Sequence, residues 1–244
     1  MTTTRTAIVT GASGGIGRAV AQRLATDGYA VVVHYAGNEQ RAEETVEAIT
    51  AAGGSAVAIG GDVADEQAVA ALFDQTEQHF GGVDAVVHTA GIMQLAPLAE
   101  AEFDVIDRML RTNIRGTLAV TQQAARRIRR GGAIVTFSTS VIRLALPTYT
   151  AYAASKGAVE AMTLILAKEL RGRDVTVNAV APGPTATPLF LDGKDEATIS
   201  RLSSMSPLER LGTPEDIAGA VSFLTGPDGR WVNGQVLAPN GGVA

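Results

Sequence analysis

The chain has no cysteine, which excludes disulfide bridges, zinc–thiolate sites and a cysteine nucleophile. It has only three histidines, His34, His79 and His88, scattered along the sequence, so no histidine-based metal site is expected. Positive charge is not in excess: Lys and Arg number 20 against 25 Asp and Glu, a net charge of -5, which argues against nucleic acid as a partner. Long apolar runs are absent, and none approaches the roughly 18 residues that a membrane span needs. The first residues, Met1-Thr-Thr-Thr-Arg, lead straight into a short apolar segment without the apolar core of a secretory signal. No membrane partner and a cytoplasmic location are therefore expected.

What is present suits a packed domain. The chain has 244 residues, 46% of them hydrophobic, and a chain this long buries roughly three-quarters of its unfolded surface. Short β-branched runs alternate with longer helical patterns. Strands are expected at Thr6–Thr10, Ala30–His34, Ser55–Ile59, Asp84–His88, Ala133–Phe137, Asp174–Val180 and Gln235–Ala238. Several are apolar throughout, the mark of a strand covered on both faces in a parallel sheet. Helices are expected at Ile16–Thr26, Glu39–Ala52, Glu66–Phe80, Glu102–Arg130 with a break near Gly116, Tyr152–Leu170 and Pro214–Leu224. This alternation predicts an α/β fold, a single doubly wound Rossmann-type domain over residues 1–244. The one irregular insertion, about residues 186–212, reads as a lid.

The segment Thr10-Gly11-Ala12-Ser13-Gly14-Gly15-Ile16-Gly17 follows the first strand and opens the first helix. Gly11 permits a tight turn, Gly15 lets backbone approach a pyrophosphate, and Gly17 allows close helix–strand packing. The helix start then offers free N–H groups to phosphate. Such a site reads its adenosine ribose at the end of the second strand. There, eighteen residues after Gly17, stands Tyr35 rather than Asp or Glu. A carboxylate would repel a 2′-phosphate, so its absence favours NADPH, with NADH not excluded. Ser13, Asn38 and Arg41 are the candidate phosphate contacts, although Arg41 reads first as a solvated helix residue.

Tyr152 and Lys156, in Tyr152-Ala-Ala-Ser-Lys156, share a helix face. An ammonium beside a phenol favours the phenolate and suits it to proton transfer near neutrality. With Asp62-Val63, Ala90-Gly91, Asn113, a Ser/Thr cluster, Asn178 and Pro182-Gly183 in the same order, the chain resembles the classical short-chain dehydrogenase/reductases from Thr6 to its C-terminus. The resemblance implies a seven-stranded parallel sheet of order 3-2-1-4-5-6-7 and an NADP-dependent oxidoreductase reducing a ketone to a secondary alcohol. It implies Tyr152 as general acid, and Lys156 as the group that lowers the Tyr152 pKa and holds the nicotinamide ribose. It gives Asn113 a helix irregularity and the proton relay. Cofactor contacts would come from Gly11, Ser13, Gly15, Ile16, Gly17, Tyr35, Asn38, Asp62, Val63, Ala90, Gly91, Pro182, Gly183, Thr185 and Thr187. A homotetramer is implied as well.

Two departures stand out. The family's Asn-Asn-Ala-Gly reads His88-Thr89-Ala90-Gly91, with His88 expected as a packed structural histidine. The hydroxyl that meets the substrate carbonyl falls on Thr139 by ungapped spacing from Tyr152, and on Ser140 by its Ser-Val ending. The stiffer χ1 of threonine favours Ser140. Expected pocket walls are Leu95, Ile142, Arg143, Leu144, Tyr149, Leu189, Phe190, Leu202 and Met205, most of them apolar. The substrate is accordingly expected to be a hydrophobic ketone or an acyl thioester. A 3-oxoacyl-acyl-carrier-protein reductase is the alternative, with Arg126, Arg127, Arg129, Arg130, Arg171 and Arg173 as helix-end arginines for docking an acyl carrier protein. A non-catalytic dinucleotide-binding regulator is the third reading, supported only by His88-Thr89.

Overall fold

In a computed structural model, which describes residues 4–244, seven strands form one sheet. They are β1 (Arg5–Thr10), β2 (Tyr29–Tyr35), β3 (Ser55–Gly60), β4 (Val83–His88), β5 (Ile128–Phe137), β6 (Thr176–Val180) and β7 (Val236–Leu237). Their order is β3-β2-β1-β4-β5-β6-β7 with every pairing parallel. The connecting helices are α1 (Gly15–Thr26), α2 (Glu39–Ala51), α3 (Glu66–Phe80), α4 (Phe103–Leu110), α5 (Gly116–Arg127), α6 (Val141–Leu144), α7 (Thr150–Glu169), α8 (Pro188–Leu191), α9 (Glu196–Ser204) and α10 (Pro214–Thr225).

The alternation within β1 shows why its sequence is apolar throughout. Ala7 and Val9 point into one core with Val20, Leu24, Ile217 and Val221 from α1 and α10. Ile8 points the other way, into a second core with Leu72, Phe73, Val120 and Ala124 from α3 and α5. Both faces are covered, and each large aliphatic side chain so buried contributes about 2 kcal/mol. The chain reverses its winding between β1 and β4, and the crevice outside the carboxyl ends of these strands is where open α/β sheets bind ligands.

Most boundaries fall within two residues of expectation, and two places differ in kind. The helix expected to run to Arg130 ends at Arg127, and Ile128, Arg129 and Arg130 begin β5, where Ile128 pairs with Val83. Strand pairing overrides the helical propensity of the arginine run there. The expected break near Gly116 is a π-helical turn at Arg111–Arg115, between α4 and α5. The insertion at 186–212 is pinned at its stem by a parallel bridge between Thr185 and Gly212 and carries α8 and α9. No helix among the described residues is long and apolar enough to cross a membrane, and no cluster among them is suited to a metal ion.

Candidate active site

The glycine loop lies at the reversal point. Gly11 and Gly15 have φ of +68° and +50°, the left-handed region that glycine adopts without strain. A Cβ on Gly17 would lie 2.3 Å from the Gly11 carbonyl oxygen and 2.6 Å from Thr89 Oγ1, so only glycine fits there. At Gly14 the space is open. Helices α2, α3, α8, α9 and α10 are closed at their N-termini by the side chains of Asn38, Asp65, Thr187, Asp195 and Thr213, whereas α1, like α4 to α7, has no side-chain cap. Its first-turn N–H groups face the crevice, as an anion such as a pyrophosphate requires.

Around the adenosine end, Tyr35 closes β2 and donates from its hydroxyl to Glu39 Oε1 at 2.8 Å. Asn38 spends its oxygen on the Arg41 N–H at 2.9 Å, and the Arg41 side chain is exposed. Ser13 sits half-buried in the loop. Asp62 accepts from the Ala64 N–H and from Arg111 Nη1 at 2.9 and 2.6 Å. Burial acts to raise its pKa, but these two donors outweigh it and leave the carboxyl below its ordinary value. Arg111 is a partner that the sequence did not signal. The Val63 side chain is core, packed against Gly116.

The catalytic candidates converge where β5 ends and α7 begins. Lys156 is buried and donates from Nζ to the Phe137 carbonyl at 2.8 Å. Asn113 is fully buried in the π turn; its side chain bridges the N–H and carbonyl of Ile92, both at 2.9 Å, and donates to Ser155 Oγ at 3.1 Å. Ser155 in turn donates to the Tyr152 carbonyl at 2.7 Å, so Asn113 braces the helix turn that carries the Tyr152 phenol. The Asn113 amide and Lys156 Nζ both crowd Gly91, where a Cβ would lie 3.2 and 3.4 Å from them. Ala90 donates its N–H to Thr10 Oγ1 at 3.3 Å.

The two candidate hydroxyls are held differently. Ser140 Oγ is buried and donates to the Ala181 carbonyl at 3.0 Å, tying the end of β5 to the end of β6. Thr139 Oγ1 accepts the Val141 N–H at 3.3 Å and keeps its own proton free beside the Tyr152 phenol, where its influence favours the phenolate. The expected lowering of Tyr152 by Lys156 is not what the structure gives. Burial, with Tyr149 adding to it, pushes the Tyr152 phenol up to about 12 against the opposing pull of Thr139. Lys156 lies 6.0 Å from the Tyr152 ring centre, and burial lowers its own pKa to about 8.

A single cleft joins these groups to the glycine loop. Ile16, Thr89, Gly91, Pro182, Gly183, Thr185 and Thr187 line one end. Gly15 faces Thr187 across it, 3.5 Å from where a Cβ would stand. Met93, Val141, Leu144, Leu146, Tyr149, Leu189, Phe190 and Leu202 line the other end. Met93 and Leu146, from loops without a motif, were not anticipated. Leu95, Ile142, Arg143 and Met205, expected as walls, are not part of it. Nor do the arginine clusters border the mouth. Arg129 is the second residue of β5; Ile128 beside it pairs with Val83 and Thr136 with His88, so at about 3.3 Å per residue of β4 it lies roughly 15–20 Å from the cleft. Arg171 and Arg173 follow the far end of α7. These side chains brace the opposite, amino end of the strands: Arg129 pairs with Asp84 at 3.2 Å, Arg130 donates to the Gly172 carbonyl at 3.1 Å, and Arg173 donates to the carbonyls of Ala125 and Ile128.

A family model described as Enoyl-(Acyl carrier protein) reductase matches residues 11–244. A protein from Picea abies named short-chain type dehydrogenase/reductase is 44% identical over 98% of this chain and 92% of its own length. The chain is a classical short-chain dehydrogenase/reductase. It is therefore an NAD(P)-dependent oxidoreductase. Its relatives include NADPH-dependent aldehyde reductase 2, chloroplastic, of Arabidopsis thaliana, 40% identical over 98% of this chain and 93% of that protein. A crystal structure of a short-chain dehydrogenase from Burkholderia cenocepacia J2315 in complex with NADP superposes with a TM-score of 0.92 at 38% identity, covering 98% of this chain and 97% of that one. The sheet order expected from the resemblance is the order observed.

Proposed function

We propose that this dehydrogenase/reductase reduces an uncharged, apolar ketone to its secondary alcohol, with NADPH preferred over NADH. The observation that carries the reading is the meeting of Thr139, Tyr152 and Lys156 in one cleft with the open start of α1. Bound nicotinamide supplies the hydride. The chain's own groups do the rest. Tyr152, held protonated by a pKa near 12, is in the form that reduction consumes, and it gives its proton to the carbonyl oxygen. Thr139 donates a hydrogen bond to the same oxygen and stabilises the charge that develops there. Lys156, kept in place by the Phe137 carbonyl, would hold the nicotinamide ribose hydroxyls. Asn113 holds the turn in register.

Cofactor preference is supported by Tyr35 in place of an acid, and by the NADPH and NADP in the names of relatives. An uncharged substrate is supported by the walls, where Lys156 is the one charged side chain. An acyl thioester fits the same walls, but the arginines proposed to dock its carrier protein lie at the amino end of the strands. The exposed apolar side chains of Leu118 on α5, Leu164 and Ile165 on α7, and Trp231 support self-association through these faces, which size-exclusion chromatography with light scattering tests. The activity is tested by following NADPH absorbance with a panel of apolar ketones and an acetoacetyl thioester. Oxidation is expected with ketones and should fall about 100-fold or more in Tyr152→Phe. Oxidation undiminished in that variant would refute the assignment.

A further inference from the structure

The substrate end of the cleft is apolar with one exception. Tyr149 lines it at 8% exposure, and its hydroxyl has no hydrogen-bond partner among the described residues. The other hydroxyls along the cleft are engaged. Ser138 donates to Glu160 at 2.7 Å, Ser140 to Ala181, Thr89 to the Thr10 carbonyl at 2.5 Å, Thr185 to the Gly183 carbonyl at 2.9 Å, and Thr187 caps α8. Thr139 is turned to the Tyr152 phenol. A phenol without a protein partner in an otherwise greasy wall keeps its hydroxyl open to the cleft, where an oxygen on the ligand can take the place of solvent as its partner.

The chain also holds Tyr149 in place against its own local preferences. Ala145 and Thr148 both adopt positive φ, 51° and 74°, conformations that side chains other than glycine rarely take. The Thr148 carbonyl is anchored by the Ala96 N–H at 3.2 Å. The result sets the Tyr149 ring edge-on to Tyr152, centres 6.4 Å apart. Strained backbone kept at the rim of a reacting centre is the signature of a placed functional side chain.

We propose that Tyr149 is a substrate-binding residue whose hydroxyl meets a second oxygen on the ketone, so that preferred substrates carry a further oxygen function a few bonds from the reacting carbonyl. The inference rests on the carbonyl-reductase reading of the same cleft. It makes the enzyme selective for oxygenated ketones such as 3-oxo esters and 1,3-diketones over simple ones, because a site built to bond an oxygen rejects the analogue lacking it.

The test compares ethyl acetoacetate with 2-heptanone, which matches its chain length without the ester oxygens. Both are assayed for turnover with NADPH, and for calorimetric binding to the full-length protein saturated with NADP+, in wild type and Tyr149→Phe. The phenylalanine keeps the ring and its edge-on packing. The expected result is that the substitution lowers kcat/KM for ethyl acetoacetate about tenfold more than for 2-heptanone, and weakens its binding by a similar factor. Equal losses for both ketones, or no loss for either, would overturn the assignment while leaving the reductase reading standing. Binding that depends on the Tyr149 hydroxyl without turnover of either ketone would keep the assignment and sink the reductase reading. Failure of ethyl acetoacetate to bind wild type overturns the assignment.

Discussion

Mild acid should loosen this protein, and two buried histidines set the amount. His88 is 2% exposed; its Nδ1 lies 2.8 Å from Thr10 Oγ1, and its Nε2 has no partner among the described residues. Thr10 Oγ1 also accepts the Ala90 N–H, and the buried ring is neutral. Burial, helped by the positive charge of Lys156 and by His34, lowers the His88 pKa from 6.5 to about 3. His34 is also 2% exposed, and burial takes its pKa to about 4 despite the raising effects of Gly61 and Asp62. Below about pH 6.5 the unfolded chain takes up protons at both positions and the folded chain does not. Stability therefore falls as pH falls through that range. At pH 5, about 1.5 below the unfolded value, each histidine costs about 2 kcal/mol and the pair about 4 kcal/mol. Lys156, lowered to about 8, acts only in alkali, where stability rises until the unfolded lysine also loses its proton. Asp216, lowered to about 2, acts only below the ordinary carboxylate range. The interval from pH 6.5 to 5 thus isolates the histidines. Urea unfolding followed by far-ultraviolet circular dichroism should show a midpoint about 1 M or more lower at pH 5 than at pH 7. Circular dichroism is the better probe, because the single tryptophan, Trp231, is 99% exposed already. His88→Asn should remove about half of the acid sensitivity. A midpoint that is level or higher at pH 5 would refute the reasoning.

Other outcomes follow from close contacts and charges. Gly17→Ala drives a methyl group into the Gly11 carbonyl and Thr89, and should cost about 3 kcal/mol or more of stability with loss of NADPH binding, read by thermal melting and cofactor fluorescence titration. Thr139→Ala should lower kcat about 10- to 100-fold with little change in melting temperature. Ser140→Ala should mainly cost stability, about 1 kcal/mol, so comparing kcat with Tm for the two variants tests their different roles. Tyr35→Asp places a carboxylate where the 2′-phosphate is expected and should raise KM for NADPH at least tenfold while sparing NADH; an unchanged ratio of the two would refute the cofactor reading.

The sheet was legible because each strand is short, β-branched and apolar on both faces, and the helices between them carry their own start signals. Thr213-Pro214 with Asp216 forms the capping box that its sequence advertises. The same signals, Thr187-Pro188 and Asp195-Glu196, were present in the irregular insertion, where α8 and α9 start on them. Ile128 to Arg130 were misread because pairing with β4 is a long-range effect that no local window contains. Tyr152 and Lys156 share one helix, so spacing alone places them together. The bond that Ser140 makes depends on where the end of β6 lies, and Met93 enters the cleft from a loop far away in sequence. Arg143 and the arginine clusters were misplaced for a common reason: charge is visible in sequence, but the end of the sheet at which it lands is not.

The bridge between Thr185 and Gly212 has a consequence for how this enzyme changes over time. The Ala186 N–H donates to Gly212 at 2.9 Å and the Gly212 N–H to Pro184 at 2.8 Å, so the two ends of the insertion are fastened to each other before its interior begins. The segment behaves as an exchangeable cassette. Lengthening or rewriting it adds only a slowly growing closure cost and leaves Tyr152, Lys156 and the glycine loop on their rigid supports. Leu189, Phe190 and Leu202, three of the cleft walls, all lie within the cassette. Selection can therefore retune what enters the cleft while the reaction itself stays fixed, and a segment transplanted from a relative at these two joints would carry its selectivity with it.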